Sequence, residues 1–235
     1  MDRPVLMLVS SREGEEAALL AALAARRSVA VPSQVSERPC QIMVVPRHPQ
    51  RVFEVAGLFR EAGFSVSLRS EWTDKPSPAD VWVGDTMGEL TFYYAMSDVA
   101  LLGGSFERFG GQNLIESAAC GCPLVMGPHT FNFAEAAKWA QEAGAARSAP
   151  DMRSGVELAL QWMDQTSELT TAGMRCLEFA GAHQGASRKS ASAILALLGA
   201  RVQRFPNTAQ HGDQRHSTQD VCNINTPVAH RRGAT

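Results

Sequence analysis

No stretch of this chain is apolar for the roughly 18 consecutive residues that crossing a bilayer requires. The opening residues, MDRPVLMLVSSREGEE, do not read as a secretory signal, because a short apolar run meets charge at once rather than a small-residue cleavage site. Basic charge is not in excess. The 22 Lys and Arg against 24 Asp and Glu leave a net charge of -2 and an isoelectric point near 6.3, which disfavours nucleic acid as a partner. Cysteine is scarce: Cys40, Cys120, Cys122, Cys176 and Cys222 form an odd, scattered set, so no disulfide framework is expected and a reducing, cytoplasmic setting is. Cys120-Gly-Cys122 has the wrong spacing for a zinc knuckle and no accompanying His/Cys pair, and reads as buried and structural. There is no G-x-G-x-x-G at the first helix and no Walker-type G-x-x-x-x-G-K-[ST], which excludes the usual dinucleotide and P-loop sites. There is no Asp-x-Asp, which disfavours a metal bridging a diphosphate.

What is present is 45% hydrophobic and 20% charged, an ordinary globular composition. Short β-rich runs alternate with longer segments of helical period, which predicts a parallel α/β sheet. The strands fall at Val5–Val9, Ile42–Val45, Phe64–Leu68, Asp80–Val83, Val99–Leu102 and Leu124–Met126. Helices are expected over Glu13–Arg26, with Ala17, Leu20, Ala21 and Ala24 on one face, and after Pro49, with Val52, Val55, Ala56 and Phe59 on one face. Further helices follow over Met87–Met96, between the last two strands, and over Asn132–Glu142, Arg153–Met163, Glu168–His183 and Ser187–Leu198. Ser28–Pro39 reads as a loop. A domain over residues 1–202 is followed by a tail, 203–235, that is polar and rich in His, Gln, Asn and Arg. It lacks enough apolar surface to offset its ordering entropy, and reads as disordered or foreign.

In an open parallel sheet ligands bind beyond the carboxyl ends of the strands. Unusual residues gather at those turns: Ser10-Ser11-Arg12-Glu13-Gly14-Glu15, Pro46-Arg47-His48-Pro49, Gly84 to Leu90, Gly103-Gly104-Ser105 through Gly110-Gly111-Gln112-Asn113 to Glu116, and Gly127-Pro128-His129. Singly each has a plain explanation, since Ser10/Glu13, Thr86/Glu89, Asn113/Glu116 and Asn132/Glu135 all fit capping-box spacing. Together they bring an arginine, backbone N–H groups and carboxylates to one sheet edge, which suits a phosphate and ribose hydroxyls.

Val45-Pro46-Arg47-His48-Pro49-Gln50-Arg51, Gly84-Asp85-Thr86-Met87-Gly88-Glu89-Leu90, Gly103-Gly104-Ser105, Gly110 through Glu116 and Gly127 through Phe133 resemble, in order and at natural spacing, the signatures of the Kdo transferases. These enzymes attach 3-deoxy-D-manno-octulosonic acid to lipid A. The resemblance covers about Arg3 to Ala200. It implies a Rossmann-like parallel sheet with helices on both faces, the C-terminal domain of a GT-B glycosyltransferase. It also implies a CMP-Kdo donor, a lipid A precursor as acceptor, and an inverting transfer without metal or other cofactor. By position Pro46, Arg47, Met87, Gly88, Glu89, Asn113, Leu114, Ile115 and Glu116 would hold CMP. Arg47 would meet the phosphate with help from a helix opening near Met87, and Glu116 the ribose. Arg12, Gly14, Glu15, Ser105, Gly110 and Gly111 would face the cleft. The general base and the acceptor site would lie in an N-terminal domain outside this sequence, and the whole enzyme at the cytoplasmic side of the bacterial inner membrane, with this half alone soluble.

Two departures stand out. Gln112, Leu114 and Ile115 replace the His, Pro and Leu more usual in the family's Gly-Gly-His-Asn-Pro-Leu-Glu, and residue 112 therefore cannot carry charge. Ser28–Pro39 is shorter and more polar than in relatives. The alternatives are another GT-B nucleotide-sugar enzyme, a UDP-sugar transferase or an epimerase, and a non-catalytic nucleotide-binding remnant. For the tail, limited proteolysis is expected to trim residues from about Gln203 and leave a stable core ending near Ala200. Strong amide protection around Val221 would contradict this.

Overall fold

Every strand pairs in parallel with its neighbours. The computed structural model describes residues 3–29, 40–182 and 192–197. The chain divides into two units, Met1–Gln184 and Gly185–Thr235. In the second, residues 192–197 are helical; the expected boundary at 202/203, the tail and most of the 28–39 segment lie outside the described residues.

The first unit holds a 7-stranded sheet. Its strands are β1 (Val5–Ser11), β2 (Gln41–Pro46), β3 (Val66–Leu68), β4 (Val81–Val83), β5 (Val99–Leu102), β6 (Leu124–Met126) and β7 (Ala146–Ser148). Their order across the sheet is β3-β4-β2-β1-β5-β6-β7. The helices are α1 (Glu15–Val29), α2 (Val52–Glu61), α3 (Leu90–Met96), α4 (Ile115–Ala119), α5 (Ala134–Glu142), α6 (Met152–Asp164) and α7 (Thr166–Ala182). Because successive strand residues point to opposite faces, the sheet feeds two cores. Leu6, Leu8, Val44, Val83 and Leu101 pack with Leu19 of α1, Phe59 of α2 and Val156 and Trp162 of α6. Val5, Met7, Val9, Val45 and Leu102 pack with Tyr93 and Tyr94 of α3, Leu114 just before α4 and Ala137 of α5. Burial on both faces explains why the strands read as continuous apolar runs rather than as alternating ones.

Several boundaries differ from expectation. Helix α1 buries Leu19 and Ala22 and leaves Ala17 and Ala21 exposed, so the expected Ala17–Leu20–Ala21–Ala24 face is turned outward. Its sequence, EEAALLAALAARRSV, is apolar nearly all round, and periodicity cannot set the phase of such a helix. Helix α3 starts at Leu90, not Met87, because Gly88 takes a left-handed φ of +79°. Strand β7 escaped detection: only Ala146 of its three residues is buried, and Arg147 and Ser148 give it no apolar pattern. The expected α2 stripe of Val52, Val55, Ala56 and Phe59 is buried as read.

Close approach of backbone decides one position. A Cβ on Gly103 would lie 2.4 Å from the carbonyl oxygens of Val9 and Ser10, whereas one on Gly57, inside α2, meets nothing within 4 Å. Gly103→Ala is therefore expected to cost about 1–3 kcal/mol through overpacking, while Gly57→Ala gains about 0.5–1 kcal/mol of helix stability. Urea midpoints of the two variants, compared at constant slope, check both signs.

Candidate functional site

Strand β1 is central, with β2 on one side and β5 on the other, so the connections leaving β1 diverge across the sheet. The crevice at such a switch point, beyond the carboxyl ends of the strands, is where open α/β sheets take ligands. Five loops meet along this edge: Arg12–Gly14 after β1, Arg47–His48 after β2, Gly84–Glu89 after β4, Gly103–Leu114 after β5 and Gly127–Thr130 after β6.

A pocket of about 160 Å³ opens between the first three of these loops, lined by Ser10, Pro46, Arg47, Gly84, Met87 and Gly88 among others. Ser10 carries the positive φ, +52°, that non-glycine residues rarely adopt, and the β1–β2 register shifts between Val9 and Ser11 beside it. Pro46 is buried at the pocket wall, and the Arg47 N–H donates to the Ser11 carbonyl at 3.0 Å, leaving the Arg47 side chain exposed. No ion pair engages Arg47 among the described residues. Tyr93, buried in the core below, hydrogen-bonds Thr86, and Thr86 donates to Glu89.

Of the residues expected to hold a nucleotide, Pro46, Arg47, Met87 and Gly88 share this pocket, and the others do not line it. Glu89 faces Arg69 at 2.9 Å and Thr86, so it braces the loop. Asn113 and Glu116 are exposed near the start of α4, where the Asn113 amide donates to Glu116 at 3.2 Å and its oxygen accepts from Ile115 N–H at 3.1 Å. Leu114 is 1% exposed and belongs to the core; Ile115 packs beside it, half-buried. Because α3 begins only at Leu90, the N–H groups at Met87 belong to a turn, and no helix dipole is aimed from there.

The residues expected to face the cleft divide more sharply. Arg12 stacks its guanidinium 4.2 Å over the Phe109 ring at the rim, and Gly14 is exposed at φ +91°. Glu15 and Ser105 are both 0% exposed, and neither presents its side chain to a cleft. Ser105 donates to the Leu102 carbonyl at 2.5 Å and accepts from Gly127 N–H at 2.8 Å, tying the β5 loop to the β6 loop. Gly110 and Gly111 are buried, and a Cβ on Gly110 would strike Asn132 at 2.2 Å. The expected capping boxes also shift. The carboxylate that reaches back at the start of α1 is Glu15, accepting from Arg12 N–H at 2.9 Å, and not Glu13. Asn132 caps nothing but donates to the Phe109 carbonyl at 3.0 Å.

Sequence reasoning missed Glu16 and Arg51. Glu16, whose side chain is 2% exposed, receives Arg51 at 2.8 Å and the Ser11 hydroxyl at 2.7 Å, which joins the end of β1 to the residue before α2. The available signal was a second glutamate following Glu15 on an apolar helix, where one capping residue would have sufficed. Among the described cysteines, Cys122 is buried with its thiol toward the Pro123 carbonyl and Cys176 donates to the Ala145 carbonyl at 3.4 Å, whereas Cys120, expected to be buried beside Cys122, is half-buried. Among the described residues no helix is long and apolar enough to cross a membrane.

No protein-family model matches the chain. Over 198 residues, 84% of its length, it is 44% identical to the 3-deoxy-D-manno-octulosonic acid transferase of Bordetella pertussis, of which the match covers 45%. The transferase of the same name from Haemophilus influenzae is 36% identical over 135 residues, 57% of this chain and 30% of that protein. The chain thus spans less than half the length of these relatives. Among solved structures, the C-terminal CMP-Kdo binding domain of WaaA from Acinetobacter baumannii matches with a TM-score of 0.67 at 28% identity, covering 76% of this chain and 89% of that one. WaaG, a glycosyltransferase involved in lipopolysaccharide biosynthesis, matches with a TM-score of 0.52 at 16% identity, covering 82% and 47%, a likeness of fold alone. The fold is that of the C-terminal domain of a GT-B glycosyltransferase.

Removing Arg51 would leave Glu16 as a buried carboxylate without its cation. Arg51→Leu is expected to lower stability by about 3 kcal/mol or more. Adding Glu16→Gln should recover part of that loss, and a double-mutant cycle by chemical denaturation measures the coupling.

Proposed function

The chain is a homologue of Kdo transferases, and we propose that it supplies the donor-binding half of such an enzyme, seating CMP-Kdo for transfer to a lipid A precursor. The observation that carries this is the pocket of Pro46, Arg47, Met87 and Gly88 at the carboxyl ends of β2 and β4, with the exposed Arg47 at its mouth. A pocket of about 160 Å³ is smaller than the roughly 300–1,000 Å³ of complete small-molecule sites. It is suited to a base or a phosphate and not to a whole sugar nucleotide.

The chemistry follows from the groups on this edge. In an inverting transfer an acceptor hydroxyl attacks the anomeric carbon as CMP departs, and charge builds on the single phosphate. Arg47 would neutralise that charge with charge-assisted hydrogen bonds, and one arginine is proportionate to a monophosphate. The backbone at Pro46 would read the base. Glu116, exposed and poised beside Asn113, would accept from the ribose hydroxyls. Leu114 and Ile115 would contribute through backbone, and Glu89 through its hold on Arg69 and Thr86. The base that deprotonates the acceptor must lie within about 3 Å of its proton. The carboxylates near the pocket are engaged elsewhere: Asp85 with Ser70, Glu89 with Arg69. We place the general base, the acceptor site and the membrane-facing surface in an N-terminal domain of the whole enzyme.

Glu116→Ala separates ligand binding from capping. Capping alone predicts a loss of about 0.5–1 kcal/mol in stability with unchanged affinity. A carboxylate on ribose hydroxyls predicts about 1.5–3 kcal/mol of lost CMP binding by calorimetric titration. The wild-type chain should bind CMP weakly and in preference to UMP or UDP. It should form no Kdo-lipid from CMP-Kdo and a lipid A precursor unless a separately expressed N-terminal domain is added. Transfer by this chain alone would overturn the division of labour.

A further inference from the structure

We propose that Glu15 is the positioning residue of the site: its buried carboxylate fixes the backbone of the glycine-rich β5 loop, and with it the approach of Asn113 and Glu116 to a bound nucleotide. This rests on the nucleotide-binding role given to that edge. The side chain is 0% exposed, and its oxygens are shared among four backbone N–H groups. One oxygen takes Gly104 at 2.8 Å and Arg12 at 2.9 Å; the other takes Phe106 at 3.0 Å and, more loosely, Glu107 at 3.4 Å. Three of these donors lie some 90 residues away in sequence, on the loop after β5, so a residue at the head of α1 clamps another part of the sheet edge.

The loop it holds is rich in glycine, and Glu15 anchors its first half while Ser105 and Asn132 tie it to the β6 side. Gly104, Gly110 and Gly111 all have positive φ, between +71° and +87°, and glycine is the residue with most backbone freedom to lose. The Gly111 N–H donates to the Gly104 carbonyl at 2.7 Å, so fixing Gly104 fixes Gly111, which precedes Gln112 and Asn113 directly. No cation pairs with Glu15 among the described residues; its charge is answered by N–H dipoles and by the positive end of α1, where it stands first. Burial pushes its carboxyl above the ordinary range, while the N–H groups of Gly104, Arg12, Phe106 and Glu107 pull it back. A glutamine cannot replace it. Whichever way the amide is turned, one oxygen becomes an NH2 group aimed at two N–H donors.

The test compares the wild-type chain with Glu15→Gln, Glu15→Asp and the exposed control Glu178→Gln. Two readouts are taken: hydrogen exchange at the amides of Gly104, Phe106 and Glu107, and CMP affinity by calorimetry. In Glu15→Gln, exchange at those amides should speed at least tenfold and CMP affinity fall about tenfold, while amides of Ile42–Val44 keep their protection. That last readout separates a loosened loop from a weakened fold. Glu15→Asp, which keeps the charge but shortens the reach, should fall between, and Glu178→Gln should match wild type. Unchanged loop exchange in Glu15→Gln overturns the clamp; faster exchange with unchanged affinity overturns its positioning role. If Glu15→Gln does not fold, Glu15→Asp decides on the same two readouts. If the wild-type chain binds no CMP, the donor-binding role fails while loop exchange still judges the clamp.

Discussion

Two adjacent carboxylates at the head of one helix hold the candidate site together. Glu15 and Glu16 begin α1, directly after the central strand, and both are buried. They point in different directions across the switch point. Glu15 takes the β5 loop through backbone N–H groups, and Glu16 takes the start of α2 through Arg51 and the end of β1 through Ser11. Burying two neighbouring carboxylates is costly unless each is fully hydrogen-bonded. Here one is satisfied by dipoles and the other by a guanidinium, so each is confined to a single geometry. Through them the end of β1, the start of α2 and the β5 loop share one anchor at the head of α1.

The anchor matters because the sheet itself offers only an edge. Apolar residues fill both faces of the strands, and the helices close over them, leaving polar chemistry to the ends. At those ends the close packing continues. Gly103 passes under the Val9 and Ser10 carbonyls, Gly110 under Asn132, and Gly127 under Ser105. Each contact leaves no room for a Cβ, so the glycines serve close approach between loops more than contact with ligand. Ser105 and Asn132 then stitch the β5 and β6 loops together by hydrogen bonds.

Much of the fold was legible in the sequence because burial on both faces leaves unmistakable apolar runs, and six of the seven strands were found that way. Strand β7 was not, because its pairing comes from β6 and its own side chains say nothing. The phase of α1 was lost for the opposite reason, an excess of alanine. That Pro46, Arg47, Met87 and Gly88 meet at one pocket could be read because strand-end loops converge on one sheet edge and because their motifs are compact. Glu15 and Ser105 looked like cleft residues for the same reason, since sequence gives position along the chain and not the direction in which a polar side chain is turned. Both turned inward, where their partners lie far away in sequence: some 90 residues for Glu15 and 22 for the Ser105 bond to Gly127. No local pattern announces such a pairing.

That inward turn explains the outward face. With Glu15, Glu16, Asp85 and Glu89 each committed to a structural partner, the described part of this edge presents Arg47 at the pocket, Glu107, Arg108 and Asn113 on the β5 loop and Glu116 in the first turn of α4, all exposed. Those are groups for holding a nucleotide, since a cation meets a phosphate and a carboxylate with an amide meets hydroxyls. All of them are open to solvent, and none sits in the enclosed setting in which an enzyme holds a general base. Met87, 79% exposed at the pocket mouth, adds an apolar surface that a complete cleft would cover. On the donor-binding reading proposed above, such an edge would grip the nucleotide and leave the reacting centre open to water. On that reading a second surface would have to exclude water and bring the acceptor hydroxyl with its base.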